Sequence, residues 1–220
     1  MKKIIPYTDV HTHHIAANDV ISIYNCGIEL PPGTEQFVSI GIHPWHIRKY
    51  DIREAFDLIR KNTFLPGVKA IGECGLDKLS DIPLDEQVNI FEEQIKIAID
   101  LKKPLIIHCV KAFDELIRIK KKSKAIVPFI IHGYNNNEQI AEQLLKNDFY
   151  LSFGKALLIT DSNAQKVITK INTTQFFLET DDASIPISSI FEKAAELKKI
   201  SVNDLKEKMM LNFKLLFNYE

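Results

Sequence analysis

The sequence predicts an α/β protein of the TIM-type (β/α)-barrel class, with about eight parallel strands and the first two βα helices reduced or missing. Short apolar runs alternate with amphipathic segments along the chain, the pattern of βα units around a parallel sheet. All seven histidines fall in four clusters, each at the C-terminal end of an expected strand, the face on which parallel barrels build their sites. The stretches after the first two strands leave little or no room for a helical crossover, which needs at least ~10–12 residues: one falls short of that length and the other only reaches it.

The strands are expected near residues 5–11, 20–24, 37–41, 69–72, 105–108, 129–132, 150–153 and 176–180. Between the first two lie only residues 14–19. Between the second and third lies a segment, 25–36, that contains Gly27, Pro31, Pro32 and Gly33. A helix is expected over 52–61. The clearest helix follows Pro83, where Val88, Phe91, Ile95, Ala98 and Leu101 recur at spacings of three and four. Further helices are expected at 112–122, 137–146, 163–171 and 188–199. Ser201 with Asp204 forms an acidic variant of a capping box before a last helix that carries Leu205, Met209, Phe213 and Leu216 on one face.

With 220 residues, 45% of them hydrophobic and 26% charged, the chain reads as one folded domain over 1–220 rather than a disordered segment. A net charge of −1 argues against a general polyanion binder, while leaving room for a site that grips one phosphate. Cys26, Cys74 and Cys109 are odd in number and form no CxxC pair, which suits a reduced, cytoplasmic protein. The start, Met1 to Pro6, reaches Asp9 and His11 before any apolar core of a targeting signal, and no stretch approaches the ~20 apolar residues of a membrane span.

The chemistry begins at His11-Thr12-His13. Two histidines two apart on an extended strand share a side and can reach one metal ion. Asp9 would face the same way, as an acceptor for a ligand or as a strand end. Glu73 lies between Gly72 and Gly75, glycines that suit a tight backbone at a strand end. His108 and His132 each close an apolar run, and Asp181 follows another, positioned to complete a site and to act as a general base. Glu179 would face the same interior and orient a ligand histidine. Cys74 and Cys109, each next to a proposed ligand, would point away and pack. The basic run Arg118 to Lys124 reads as a solvated helix end, whereas Lys111, three past His108, is placed to meet a phosphate.

Taken in order, Asp9-Val10-His11-Thr12-His13, Gly41-Ile42-His43-Pro44-Trp45 and Ile71-Gly72-Glu73-Cys74-Gly75-Leu76-Asp77 resemble the TatD-type metal-dependent hydrolases of the amidohydrolase superfamily, often described as deoxyribonucleases. The resemblance continues through Gln87, Phe91, Gln94 and Ala98, then 104–108, 131–134, 178–181 and Asn212-Phe213. It implies that His11, His13, Glu73, His108, His132 and Asp181 are metal ligands, with Glu73 bridging two divalent ions of zinc, manganese or magnesium, and that His43 lies beside the substrate. It implies hydrolysis of a phosphodiester such as DNA, the ions ~3.5–4 Å apart and activating a water, with Asp181 as proton acceptor. The sequence departs at Val110, where relatives commonly carry arginine, and in its shortened first units. Shortening could expose apolar barrel flank, which makes a homodimer a candidate assembly. The rival readings are an amidohydrolase cleaving a C–N or C–O bond, a histidinol-phosphatase-like phosphoesterase, and a catalytically weak metal-bound interaction module. A phosphoesterase of the second kind would pair its closing Asp with a later histidine, and none follows His132.

Overall fold

In a computed structural model of the chain, residues 5–30 and 36–219 are described. Pro31, Pro32 and Gly33 of the second short connection, and the first four residues of the start, lie outside the described residues. Eight strands follow one another in chain order: β1 (Tyr7–Thr12), β2 (Val20–Asn25), β3 (Phe37–Ile40), β4 (Val68–Asp77), β5 (Leu105–Val110), β6 (Phe129–Ile131), β7 (Phe149–Phe153) and β8 (Phe176–Leu178). Helices α1 (Ile52–Thr63), α2 (Leu84–Leu101), α3 (Phe113–Ser123), α4 (Glu138–Lys146), α5 (Asn163–Lys170), α6 (Ile187–Lys198) and α7 (Val202–Phe217) alternate with them from β3 onward. This is the strand order of the TIM-type barrel that the sequence predicts. No helix separates β1 from β2, as expected for the first unit; of the connection between β2 and β3, residues 31–35 lie outside the described residues, and the described ones hold no helix.

The chain divides into two compact units, Met1–Tyr24 with His132–Glu220, and Asn25–Ile131. In the first, β7 pairs with β8, β1 pairs with β2, and Thr12 bridges Asp181 just past β8, all in parallel. In the second, β3, β4, β5 and β6 pair in succession, also in parallel. Apolar runs make the interior of each unit: Ile23, Leu151, Phe153, Phe176 and Phe177 are fully buried in one, and Ile40, Ile71, Leu105, Ile107 and Phe129 in the other.

Local chemistry sets the ends of the helices. Asp51, Asn137 and Ser162 each accept a main-chain N–H at an N-terminus, and Ser201 accepts from Asp204 as its spacing predicts. The basic end of α3 is solvated, Lys121, Lys122 and Lys124 being exposed where cations suit the helix dipole. No helix among the described residues is long and apolar enough to cross a membrane. Three short 3-10 turns, Pro44–Lys49, Lys155–Leu158 and Thr173–Gln175, have no counterpart in the sequence reading. Such turns lack the repeat length that produces a periodic signal.

Two glutamines on α2 do what its apolar stripe cannot. Gln94 accepts the N–H of Ile42 at 2.8 Å and donates to the same residue's carbonyl at 3.1 Å. Two turns earlier, Gln87 accepts the N–H of Asp77 at 2.7 Å and donates to its carbonyl at 2.9 Å. Both amides are buried, and each stands in for a strand partner beside a residue of chemical interest. Loss of Gln94 would leave two buried main-chain groups unsatisfied at about 1–3 kcal/mol each. Gln94→Ala is therefore expected to lower the thermal midpoint by roughly 5–20 °C; an unchanged melting curve would remove the clamp.

Candidate functional site

Each unit gathers one group of donors. In Asn25–Ile131 the group is His43, Glu73 and His108, whose donor atoms lie close enough together to hold a metal ion. Glu73 sits midway along β4, which runs five residues past the expected end at Gly72. The strand can continue because Gly72 and Gly75 take backbone angles that side chains rarely adopt, φ 149° and 137°. A Cβ on Gly72 would come within 2.5 Å of the Ile106 carbonyl oxygen, and one on Gly75 would overlap that of His108. Close approach of β4 to β5 is thus what brings Glu73 beside His108.

Glu73 is held from three sides. Its Oε1 lies 3.1 Å from His43 Nε2 and 3.1 Å from His108 Nδ1, and its Oε2 accepts from Asn25 Nδ2 at 3.0 Å. Asn25 also accepts the N–H of Glu73. His108 is in turn fixed by Asp77, 3.0 Å from Nε2. Asp77 further takes the indole N–H of Trp45 at 2.8 Å and the N–H of Leu79 at 2.8 Å. Burial raises the Asp77 pKa, but the donors from His108, Leu79 and Trp45 outweigh it and hold the carboxyl below its ordinary value. With Nε2 occupied by a carboxylate, Nδ1 of His108 is the nitrogen that faces Glu73. Carboxylate–histidine pairs of this kind set the tautomer and basicity of a ligand. Removing Asp77 is expected to weaken divalent-metal affinity about 10- to 100-fold. Titration of Asp77→Ala against a competing chelator reads this, and wild-type affinity would rule the positioning role out.

In the other unit the group is His11, His132 and Asp181. Main-chain bonds place the three segments. The Asp181 N–H donates to the His11 carbonyl at 2.9 Å, and the His13 N–H donates to the Asp181 carbonyl at 3.0 Å. Asp181 Oδ1 then lies 3.4 Å from His11 Nε2 and 3.6 Å from His13 Nε2. The His11 and His132 rings stand 4.4 Å apart. Glu179 Oε1 is 3.7 Å from His132 Nδ1 and accepts the Gly133 N–H, so the expected orienting carboxylate is beside its histidine. Asp9, expected as an acceptor or a strand end, accepts from Thr180, from its N–H at 3.0 Å and its hydroxyl at 2.6 Å, and braces the turn that carries Asp181. The pairing of β1 with β2 shifts register between Asp9 and Thr12. Burial raises the Asp9 carboxyl to about 7, against the lowering effect of the Thr180 donors.

Imidazole and carboxylate together suit zinc and manganese, and the oxygens also suit magnesium, so the chemistry of both donor sets fits a divalent ion. His43, expected to face substrate, stands among the donors, with Nδ1 accepting the Trp45 N–H. Lys111 is exposed immediately after β5. Cys74 and Cys109 are free thiols whose pKa values burial pushes up, to about 12 for Cys109, as packing residues require. Asn25 and Lys155 have no signal in the sequence, and Asp77 enters there only within the motif at 71–77. Lys155, just past β7, pairs with Asp182 at 2.5 Å, and Asp182 is thereby engaged away from the start of α6, which Pro186 caps.

The chain is similar to known proteins in sequence and in fold. Residues 28–218 match the family model described as TatD related DNase. The chain is 31% identical to the metal-dependent hydrolase YabD of Bacillus subtilis over 201 residues, 82% of this chain and 77% of that one. It is 33% identical over 152 residues to the human 3'-5' RNA nuclease TATDN2, covering 65% of this chain and 19% of that protein. In fold it matches the crystal structure of YjjV, a TatD homologue from Escherichia coli, with a TM-score of 0.86 at 20% identity, over 99% of this chain and 100% of that one.

Proposed function

The chain belongs to the TatD-related DNase family of metal-dependent hydrolases, and from that premise we propose that it is a phosphodiesterase that cleaves nucleic acid, DNA in the first instance. The observation that carries the reading is the pair of donor groups, each joining imidazoles to a carboxylate. They would hold two divalent ions, zinc, manganese or magnesium. A divalent ion held by such donors lowers the pKa of a bound water and offsets charge on the phosphoryl group. Asp181 accepts the proton of the attacking water. Glu73 and its histidines hold their ion in place, and Lys111 meets the charge of the substrate phosphate.

The human relative named as an RNA nuclease makes RNA the second substrate to compare. The test is a panel of single-stranded DNA, duplex DNA, RNA, a generic phosphodiester and a carboxyl ester. It is run with metal content measured by emission spectroscopy. Release of nucleotides that stops on chelation and returns with metal is the expected result. Ester cleavage without phosphodiester cleavage would favour the C–O hydrolase reading. Full metal occupancy without any hydrolysis would favour an interaction module.

A further inference from the structure

Trp45 is the only tryptophan in the chain, and it is 57% exposed in the 3-10 turn Pro44–Lys49. An exposed indole is ordinarily free to turn. This one is fastened: its N–H donates to Asp77 Oδ2, the same oxygen that lies 3.0 Å from His108 Nε2. Its ring also meets those of His43 and His108 edge-on, with centroids 5.0 and 5.7 Å away. Leu79, 65% exposed, is tied to the other oxygen of Asp77 through its N–H. One carboxylate thus anchors the exposed indole, the main chain at the exposed Leu79 and a donor histidine.

Between them opens a cleft of about 580 Å³, with Ile82 and Val110 in its wall. That volume falls in the range of sites that take a small organic group, on the order of 300–1,000 Å³. Its charges disfavour an anion. Asp77 and Asp81 line it, and the one cation, Arg48, is paired with Glu86 at 3.0 Å. A flat, uncharged ring fits an indole floor and aliphatic walls. A ring joined to a phosphodiester is a nucleobase.

We propose that Trp45 and Leu79 form a subsite that stacks one unpaired nucleobase of the substrate beside the Glu73–His108 group. The proposal rests on the nuclease reading and names its substrate as single-stranded, because a base within a duplex has both faces covered. Each base stacked on an aromatic side chain strengthens binding about 5- to 160-fold.

The sole tryptophan reports the contact directly. The probes are four-nucleotide single strands, deoxy and ribo, with phosphorothioate linkages that resist cleavage, and the same strands with abasic positions. On the metal-loaded protein, the base-bearing strands are expected to quench Trp45 fluorescence and the abasic strands are not. Comparing the deoxy and ribo arms distinguishes DNA from RNA as the source of the base. Equal quenching by based and abasic strands, or none by either, would overturn the subsite. Trp45→Ala is expected to bring the affinity ratio of based to abasic strands toward one, whereas Trp45→Phe, which keeps a ring but not the bond to Asp77, retains most of it. Loss of the ratio in both variants would show that Trp45 serves Asp77 only. Because quenching needs no turnover, a failure of hydrolysis would leave this result standing on its own.

Discussion

Asp181→Asn is expected to lower kcat on a phosphodiester by about 10²- to 10⁴-fold, the contribution of a positioned general base. Asparagine is the informative replacement because the position has φ 54°, a left-handed conformation that aspartate and asparagine tolerate and other side chains resist. The two main-chain bonds that fasten residue 181 between His11 and His13 do not depend on the side chain. The variant should therefore keep its melting temperature while losing a proton acceptor. Turnover at the wild-type rate, with metal present, would take the base role away from Asp181.

The second large effect is on folding. A methyl group at Gly75 would overlap the His108 carbonyl, on a backbone with φ 137°. Strain of that kind costs about 1–3 kcal/mol, and overpacking a similar ~1–3 kcal/mol. Gly75→Ala is expected to lower the thermal midpoint by roughly 5–20 °C and to weaken metal binding with it, since β4 and β5 could not approach as closely. A variant as stable as the parent would show that β4 can shift without loss.

The same glycines mark where sequence reading runs out. Periodicity located all eight strands and seven helices, because burial on one face leaves a repeat in the chain. It ended β4 at Gly72, where the apolar run stops, yet the strand continues to Asp77 through a register shift between Ile71 and Cys74. Asp77 was consequently read only as part of a motif, although it holds His108 and Trp45. Asn25 lies 48 positions from the carboxylate that it supports, and no local pattern encodes such a partner. Gln87 and Gln94 are polar at buried positions of an amphipathic helix, where hydrophobicity alone gives no reason for them. The histidines and acids themselves were legible, being rare residues placed repeatedly at strand ends. Their support was not.

The division of the chain into units has a consequence for biosynthesis. The group His43, Glu73 and His108 comes from one uninterrupted stretch, Asn25–Ile131. A ribosome makes that stretch without interruption, so these three side chains can come together early. The group around Asp181 joins β1 to a segment made much later; Thr180 and Asp9 alone are 171 positions apart. Closing so long a loop costs little more than closing a moderate one, since the entropy grows only with the logarithm of length. What it costs is time: β1 can pair at once with β2, but the segment around Asp181 that meets its other edge at Thr12 is made much later. Synthesis interrupted after Ile131 would therefore leave a product with one assembled donor group and with β1 paired on one edge only, a ready substrate for chaperones and proteases.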